Sequence, residues 1–511
     1  MNKEKTQQEW RGLSEEVITG VSEWREQHSK ATLREIEEEI DKRLSVMRAR
    51  MISDAAMSSA SAEWEAGENA VVCPRCGVAL TKKGKKKRKL QTRGGREIEL
   101  EREYGLCPEC GQGIFPLDEE LKLLSGKLTP SGHERLVRLC GWLPFEKAAG
   151  LFEDFMGIKV NKIVSQRYTE EAGAIYEQLQ KEEVQRLQKK MPRATARPKK
   201  LQISADGAMV PLLHGVWAEV RTLVIGEVQP AVQEKGESVV HTRDLSYFSR
   251  KVNSQEFELL CLSEMHRRGL ENAKEVAAVM DGAEWEQSFT DYHCPRAVRI
   301  LDFAHAAGHI NKIGEFLNGE HTSENQVWLG KHLHQLKHAG PHKLLLEFQK
   351  LQRKHPEAQP ITSNLAYLKK REKQMQYPTF QSQGWPIGSG IVESGNKLVV
   401  EARLKGSGMH WAEHHVNPML AIRNIICSDR WKEEWPKIEA GIREQRSKRR
   451  VPSQPAIISG NDALLLILKE KLETEVLPAD LSSNSKKPKF NPWRNFKHGK
   501  ALYQRKSLPK L

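Results

Sequence analysis

The chain has 511 residues, 38% of them hydrophobic, with a mean hydropathy of −0.61, a formal charge of +14 and a pI near 9.2. That length exceeds one core and predicts three or four domains, and no run approaches the ~18–20 apolar residues of a membrane-spanning helix, so no membrane partner is expected. The excess of Lys and Arg points to a polyanion, and eight cysteines in so long a chain fit metal binding in a reducing cytoplasm rather than a disulfide framework.

Residues 1–62 read as an N-terminal helical region. Val17, Ile18, Val21 and Trp24, then Leu33, Ile36, Ile40, Leu44 and Met47, recur at helical spacing, as a packing or dimerisation element would. Residues 63–118 read as a zinc ribbon. Cys73-Pro-Arg-Cys76-Gly77 and Cys107-Pro-Glu-Cys110-Gly111 are matched knuckles, each with a glycine where a left-handed turn is needed. Together they supply four thiolates for tetrahedral zinc, and two matched pairs favour structural metal over a redox dithiol. The alternation Arg96-Glu-Ile-Glu-Leu-Glu-Arg-Glu-Tyr104 predicts a hairpin carrying the second knuckle. Lys82, Lys83, Lys85, Lys86, Lys87, Arg88 and Lys89 form a basic loop expected to contact phosphate.

Residues 119–190 predict a helix-turn-helix-like helical domain. Helices start near Pro130 and Pro144, Met156-Gly-Ile-Lys-Val160 breaks the chain, and Asn161 caps the next helix. Asn161, Lys162, Ser165, Gln166 and Arg167 are expected to be exposed there, with Lys162, Gln166 and Arg167 reaching DNA. A basic linker, 191–200, leads into a core of mixed α/β class spanning 201–308 and 380–425. Within it, Leu201, Ile203 and Ala205 alternate as a strand delivering Asp206, and 216–228 reads as its hairpin partner. A third, more exposed strand covers 241–249, a helix covers 254–269, and two further strands end at Asp281-Gly282 and at Asp302. Residues 309–379 read as a helical insertion in which His332, His334 and His338 belong to the surface. A helix starting at Ser389-Gly390 carries Glu393 in its first turns, with Asn396 and Lys397 on the same side. Residues 426–480 read as C-terminal helices and linker, including a helix over 461–476. The tail 481–511, with nine Lys/Arg and no acid, reads as basic and disordered, with Phe490, Trp493 and Phe496 able to stack on bases.

Two strand-end aspartates and a helix-borne glutamate suit two-metal phosphoryl transfer, because hard divalent cations prefer carboxylate oxygens. No Walker loop, nucleophile elbow or His-Glu-x-x-His motif argues for another reaction.

The knuckles, Phe115-Pro-Leu-Asp118, Ser204-Ala-Asp-Gly207, Ile387-Gly-Ser-Gly-Ile-Val-Glu-Ser394 and Arg403-Leu-Lys-Gly-Ser-Gly-Met-His-Trp411 together resemble one family. The chain is similar to bacterial insertion-sequence transposases of the ISKra type, in the Mutator-like group of DDE transposases with a ribonuclease-H-like core. The resemblance implies binding of terminal inverted repeats, then DNA cleavage and strand transfer, with Asp206 as first and Glu393 as third catalytic acid. In that group the second acid lies at a strand end in an Asp-Gly context, about 20 residues before a Cys-or-Asp, two residues, His motif. Asp281-Gly282 fits the former and Asp302-Phe-Ala-His305 the latter, so Asp281 is the expected second acid and Asp302 the alternative. His305, Asn396, Lys397 and Arg403 would support the site. The implied cofactors are two Mg²⁺ per site, with Mn²⁺ able to substitute, and structural Zn²⁺. The implied partners are double-stranded transposon-end and target DNA, with a homo-oligomer in the active complex, at the nucleoid.

Overall fold

The computed structural model describes residues 3–64, 71–234 and 237–449, so the expected helix over 461–476 and the basic tail lie outside the described residues. The chain divides into two compact units. Among the described residues, one comprises those up to Cys140, Phe145–Tyr168 and those from Pro436 on; the other comprises those of Gly141–Pro144 and Thr169–Trp435. The helical domain expected at 119–190 is therefore divided. Its long helix Lys162–Lys189 places Val184 and Leu187 in the core of the second unit, where apolar burial fixes them.

In the first unit, helices Lys3–Gln27 and Leu33–Met57 precede a three-stranded ribbon. A capping box, with Thr32 and Glu35 each bonding the other's backbone, sets the second helix's start. The ribbon strands are β1 (Thr81–Thr92), β2 (Arg96–Leu106) and β3 (Gly113–Ile114), paired in that order and all antiparallel. The run expected as a basic loop is thus a strand. Lysine is a poor strand former, but β2 places a row of glutamates beside it. Lys82 pairs with Glu103 at 3.2 Å, Lys87 with Glu99 at 2.7 Å and Lys89 with Glu97 at 2.8 Å, while Lys85 lies 4.0 Å from Glu101 and 2.6 Å from Glu63, which precedes the ribbon. Lys86 lies over the Tyr104 ring, 4.7 Å from its centre. Alternate residues Leu90, Ile98 and Leu100 turn inward onto Ala49 and Leu123. Arg88 also turns inward. With Arg102 it binds buried Asp118, at 3.0 and 2.7 Å, and Arg446 reaches the same oxygen at 3.3 Å. Asp118 is therefore an internal anchor, and Arg88 belongs to the core rather than to a phosphate-contacting face.

The second unit is built on a five-stranded sheet. Its strands are β4 (Lys200–Pro211), β5 (Trp217–Val228), β8 (Thr242–Arg250), β9 (Glu275–Met280) and β10 (Val298–Leu301), while β6 (Val232–Glu234) and β7 (Glu237–Val239) form a separate two-stranded excursion. The sheet order is β10-β9-β4-β5-β8; β5 is antiparallel to β4 and β8, and β4, β9 and β10 are parallel. Leu201, Ile203, Ala205, Ala278 and Met280 face one core with Phe257, Met265 and Phe289. Ala277, Val279 and Ile300 face another with Ile310, Leu344, Phe348 and Leu365 from the insertion and with Trp385 just after it. The expected helix over 254–269 is two helices, Ser254–Leu260 and Leu262–Arg267.

The insertion is helical as expected, through Phe303–Asn318, Ser323–Ala339, Pro341–Lys354 and Gln359–Lys370. His332 is not a surface residue. It is buried against Trp328 and bonds the Trp328 carbonyl at 2.7 Å. No described helix is long and apolar enough to cross a membrane.

Candidate active site

Strand register brings the acids together. Ile203 pairs with Ala278 across the parallel β4–β9 pair, so Asp206 and Asp281, each three residues further on, reach the same level. Alternation puts Asp206 on the face of Gln202 and Ser204, opposite Ile203 and Ala205. Among the described residues, Asp206, Asp281 and Glu286 offer oxygens lying within 4.8 Å of one another. Asp206 Oδ1 accepts from the Gly207 amide at 2.7 Å and Oδ2 from Asn396 Nδ2 at 3.0 Å. Asp281 Oδ1 accepts from the Ala283 amide at 2.7 Å.

Glu286 was not foreseen. It sits in the first turn of helix Glu284–His293, where its Oε2 accepts from the amides of Gly282, at 2.9 Å, and Ala283, at 3.2 Å. An acid five residues beyond a strand-end Asp is the available signal, though in sequence it reads only as a helix cap. Burial, then the hydrogen bond and charge of Asp281, push its carboxyl up to about 10. Burial likewise raises the Asp206 carboxyl, and the Asp281 charge adds to it. Three acids this close cannot all ionise without a compensating cation. A divalent ion fits this oxygen set.

The turn after Asp281 is held by the insertion. Arg371 Nε donates to the Gly282 carbonyl at 2.7 Å, and Tyr367 Oη donates to the Asp281 carbonyl. Arg371 stacks on Tyr367 at 4.1 Å, and Tyr367 on His309 at 3.9 Å. Gly282 has φ +86°, and a Cβ there would meet Tyr367 Oη at 2.6 Å, so only glycine suits the position. His305 packs edge-on to His309, 5.1 Å between ring centres.

The structure does not bring every expected residue to the cluster. Asp302 stands one strand away with both oxygens engaged by backbone: Oδ2 accepts from the His305 amide at 2.8 Å and Oδ1 from Ser389 at 2.7 Å. Glu393 is exposed and paired with Lys397 at 2.6 Å, which holds its carboxyl below the usual range. Its helix, Gly390–Gly395, continues as a π-helical turn, Asn396–Glu401. Gly395 lets this helix lie close on the sheet, since a Cβ there would strike Val224 at 2.7 Å, and Asn396 thereby reaches Asp206. Buried Arg403 lies over Trp411 at 5.3 Å, and the Trp411 backbone bonds Pro211 and Leu213 at the end of β4. That motif fastens helix to sheet.

In the first unit the four cysteines form the other cluster. The knuckles match. Gly77 and Gly111 have φ of +71° and +67°, and their amides donate to Cys73 and Cys107 at 2.8 and 3.0 Å. The Cys110 amide leads the interactions drawing the Cys107 thiol down to about 7, whereas neighbouring Cys110 drives Cys76 up to about 12. Four thiols at such spacing suit one tetrahedral ion. On the helix Lys162–Lys189, Lys162 and Arg167 are exposed, Gln166 is half-buried and Ser165 is buried, its hydroxyl on the Asn161 carbonyl at 3.1 Å; exposed Asn161 caps the start, its Oδ1 accepting from the Val164 amide at 2.8 Å.

Fold and clusters define a mixed α/β protein carrying a Cys₄ group and a strand-borne carboxylate group. The chain belongs to the family described as Uncharacterised protein family (UPF0236), which matches residues 78–437. No curated protein matches it.

Proposed function

We propose that the protein is a DNA transposase of an insertion sequence, acting through Mg²⁺-dependent phosphoryl transfer on a ribonuclease-H-like core. The observation that carries this reading is the meeting of Asp206 and Asp281 on adjacent parallel strands of the mixed sheet. The strand order β10-β9-β4-β5-β8, with β5 antiparallel to its neighbours, supports the same core. The motifs resembling ISKra-type transposases and the charge of +14 support DNA as substrate.

Asp206 and Asp281 would hold Mg²⁺, which activates the attacking oxygen and stabilises the leaving one. Asn396 orients Asp206, while Arg371 and Tyr367 fix the backbone that carries Asp281. Glu393 is the third acid of the expected triad. It would exchange Lys397 for the site when DNA lies across the helix Gly390–Gly395. The cysteine cluster would hold structural zinc, and Lys162, Gln166 and Arg167 would contact terminal repeats.

The test is Mg²⁺-dependent cleavage of a duplex carrying the element's own terminal repeat. Wild type is expected to cut, Asp206→Ala, Asp281→Asn and Glu393→Gln to lose cutting, and Asp302→Asn to keep measurable activity. Repeat binding without cleavage in Mg²⁺ or Mn²⁺ would sink the enzymatic reading. Loss of activity in Asp302→Asn but not in Asp281→Asn would move the second acid.

A further inference from the structure

We propose that Glu286 is a direct ligand of the divalent cation held by Asp206 and Asp281, so that a three-acid site is complete in the protein alone, before Glu393 engages. This rests on the phosphoryl-transfer reading above and adds a residue that the expected triad lacks.

Two independent features point to a ligand. The first is the way Glu286 is held. The residue is 1% exposed, and its Oε2 takes the amides of Gly282 and Ala283. A capping role needs no more than that oxygen. Oε1 is buried and receives no donor, and Glu286 stands within 4.8 Å of the oxygens of Asp206 and Asp281; the bond it can share with Asp281 needs a proton in the place that a cation would take. The second feature lies on another element. Asn396 is 6% exposed and aimed at the cluster, with Nδ2 on Asp206 and its Oδ1 buried and unpartnered. A buried oxygen without a donor is costly, and Glu286 Oε1 bears that cost beside an aspartate pair. A hard cation satisfies both the charge and the empty lone pairs, and Mg²⁺ takes its remaining ligands from water.

Glu393 offers the opposite circumstances. Its side chain is 70% exposed and already neutralised by Lys397. Only Glu286 is committed to the cluster in the protein alone.

The experiment follows Mn²⁺ binding to the zinc-loaded, full-length, DNA-free protein by electron paramagnetic resonance of free Mn²⁺ and by calorimetry. Glu286→Gln keeps an oxygen for the two amides, so a thermal midpoint without Mn²⁺ that is no lower than wild type confirms an intact turn. Its Mn²⁺ affinity is expected to fall on the order of tenfold or more, while Glu393→Gln keeps the wild-type affinity. Wild-type affinity in Glu286→Gln overturns the inference, as does an equal loss in Glu393→Gln. If the expected binding pattern appears but wild type never cuts a terminal repeat, the cation site stands and the transposase reading falls. Should wild type bind no Mn²⁺, both fall.

Discussion

The cysteine cluster and the carboxylate cluster are assembled in opposite ways. Each cysteine pair spans four residues and one left-handed glycine, and a single hairpin brings the pairs together. The carboxylates come from positions 206, 281 and 286, and meet only because β4 and β9 pair in one register. A one-residue slip there would turn Asp281 to the opposite face. A local cluster tolerates change elsewhere in the fold; a register-built cluster inherits every strain in the sheet.

Breaking the thiol cluster should give the largest effect. Structural zinc supplies roughly 10–16 kcal/mol to small zinc domains. Chelation, or Cys107→Ser, should therefore abolish amide-exchange protection in β1 and β2 while β4 and β9 keep theirs. Equal loss in both would show that the ribbon is not locally held.

Asp281→Asn should behave in the reverse manner. Cleavage should fall by on the order of 10³-fold, the size of several kcal/mol of lost transition-state stabilisation. The cation-free protein should melt higher than wild type, because one of three crowded acids is gone. A lower melting temperature would mean that the acids do not repel in the fold.

Arg371→Ala should cost about 1–3 kcal/mol by stripping the Gly282 carbonyl of its donor, and it should weaken Mn²⁺ binding as the Asp281 turn loosens. An unchanged Mn²⁺ affinity would separate the insertion from the site.

Next in size is a pH effect shared by both units. Burial pulls His293 in the second unit down to about 3, and His133 in the first down to about 4. Below the ordinary value near 6.5 the unfolded chain binds protons that the folded chain refuses, so stability is intact above pH 6.5 and declines on acidification. Between pH 6.5 and 5 the His293 contribution is about 2 kcal/mol. Denaturant melts of His293→Gln should show a shallower decline over that range; an unaltered slope would refute the assignment. The smallest effect should be Lys87→Ala, whose partner Glu99 is well exposed. Its melting temperature should hardly move.

The same contrast explains what the sequence disclosed. The knuckles were legible because their geometry is written within five residues. Alternation makes Asp206 and Asp281 legible as strand-borne acids, but only Asp281 follows a strand end; Asp206 lies inside β4, which runs on to Pro211, and the adjacency of the two needed strand pairing. Glu286 was missed because a glutamate in a first helical turn is ordinarily a cap, which it also is. The basic run reads as a loop because most of the acids that steady it lie across a hairpin, on the partner strand. Arg88 carries no local sign that it faces inward toward Asp118. The break at Asn396 into a π turn, which seats the amide on Asp206, has no composition signal at all.

The lysine–glutamate ladder of β1 and β2 bears on how ionic strength would act. Seven basic residues in this stretch suggest many displaced counterions when a polyanion binds. Four of the lysines are already matched to carboxylates. A phosphate docking there must displace a glutamate rather than a mobile anion, and the freed carboxylate then recruits a cation of its own. Affinity should consequently depend on salt less steeply than the run of lysines suggests, and replacing Glu97, Glu99, Glu101 and Glu103 with glutamine should steepen it.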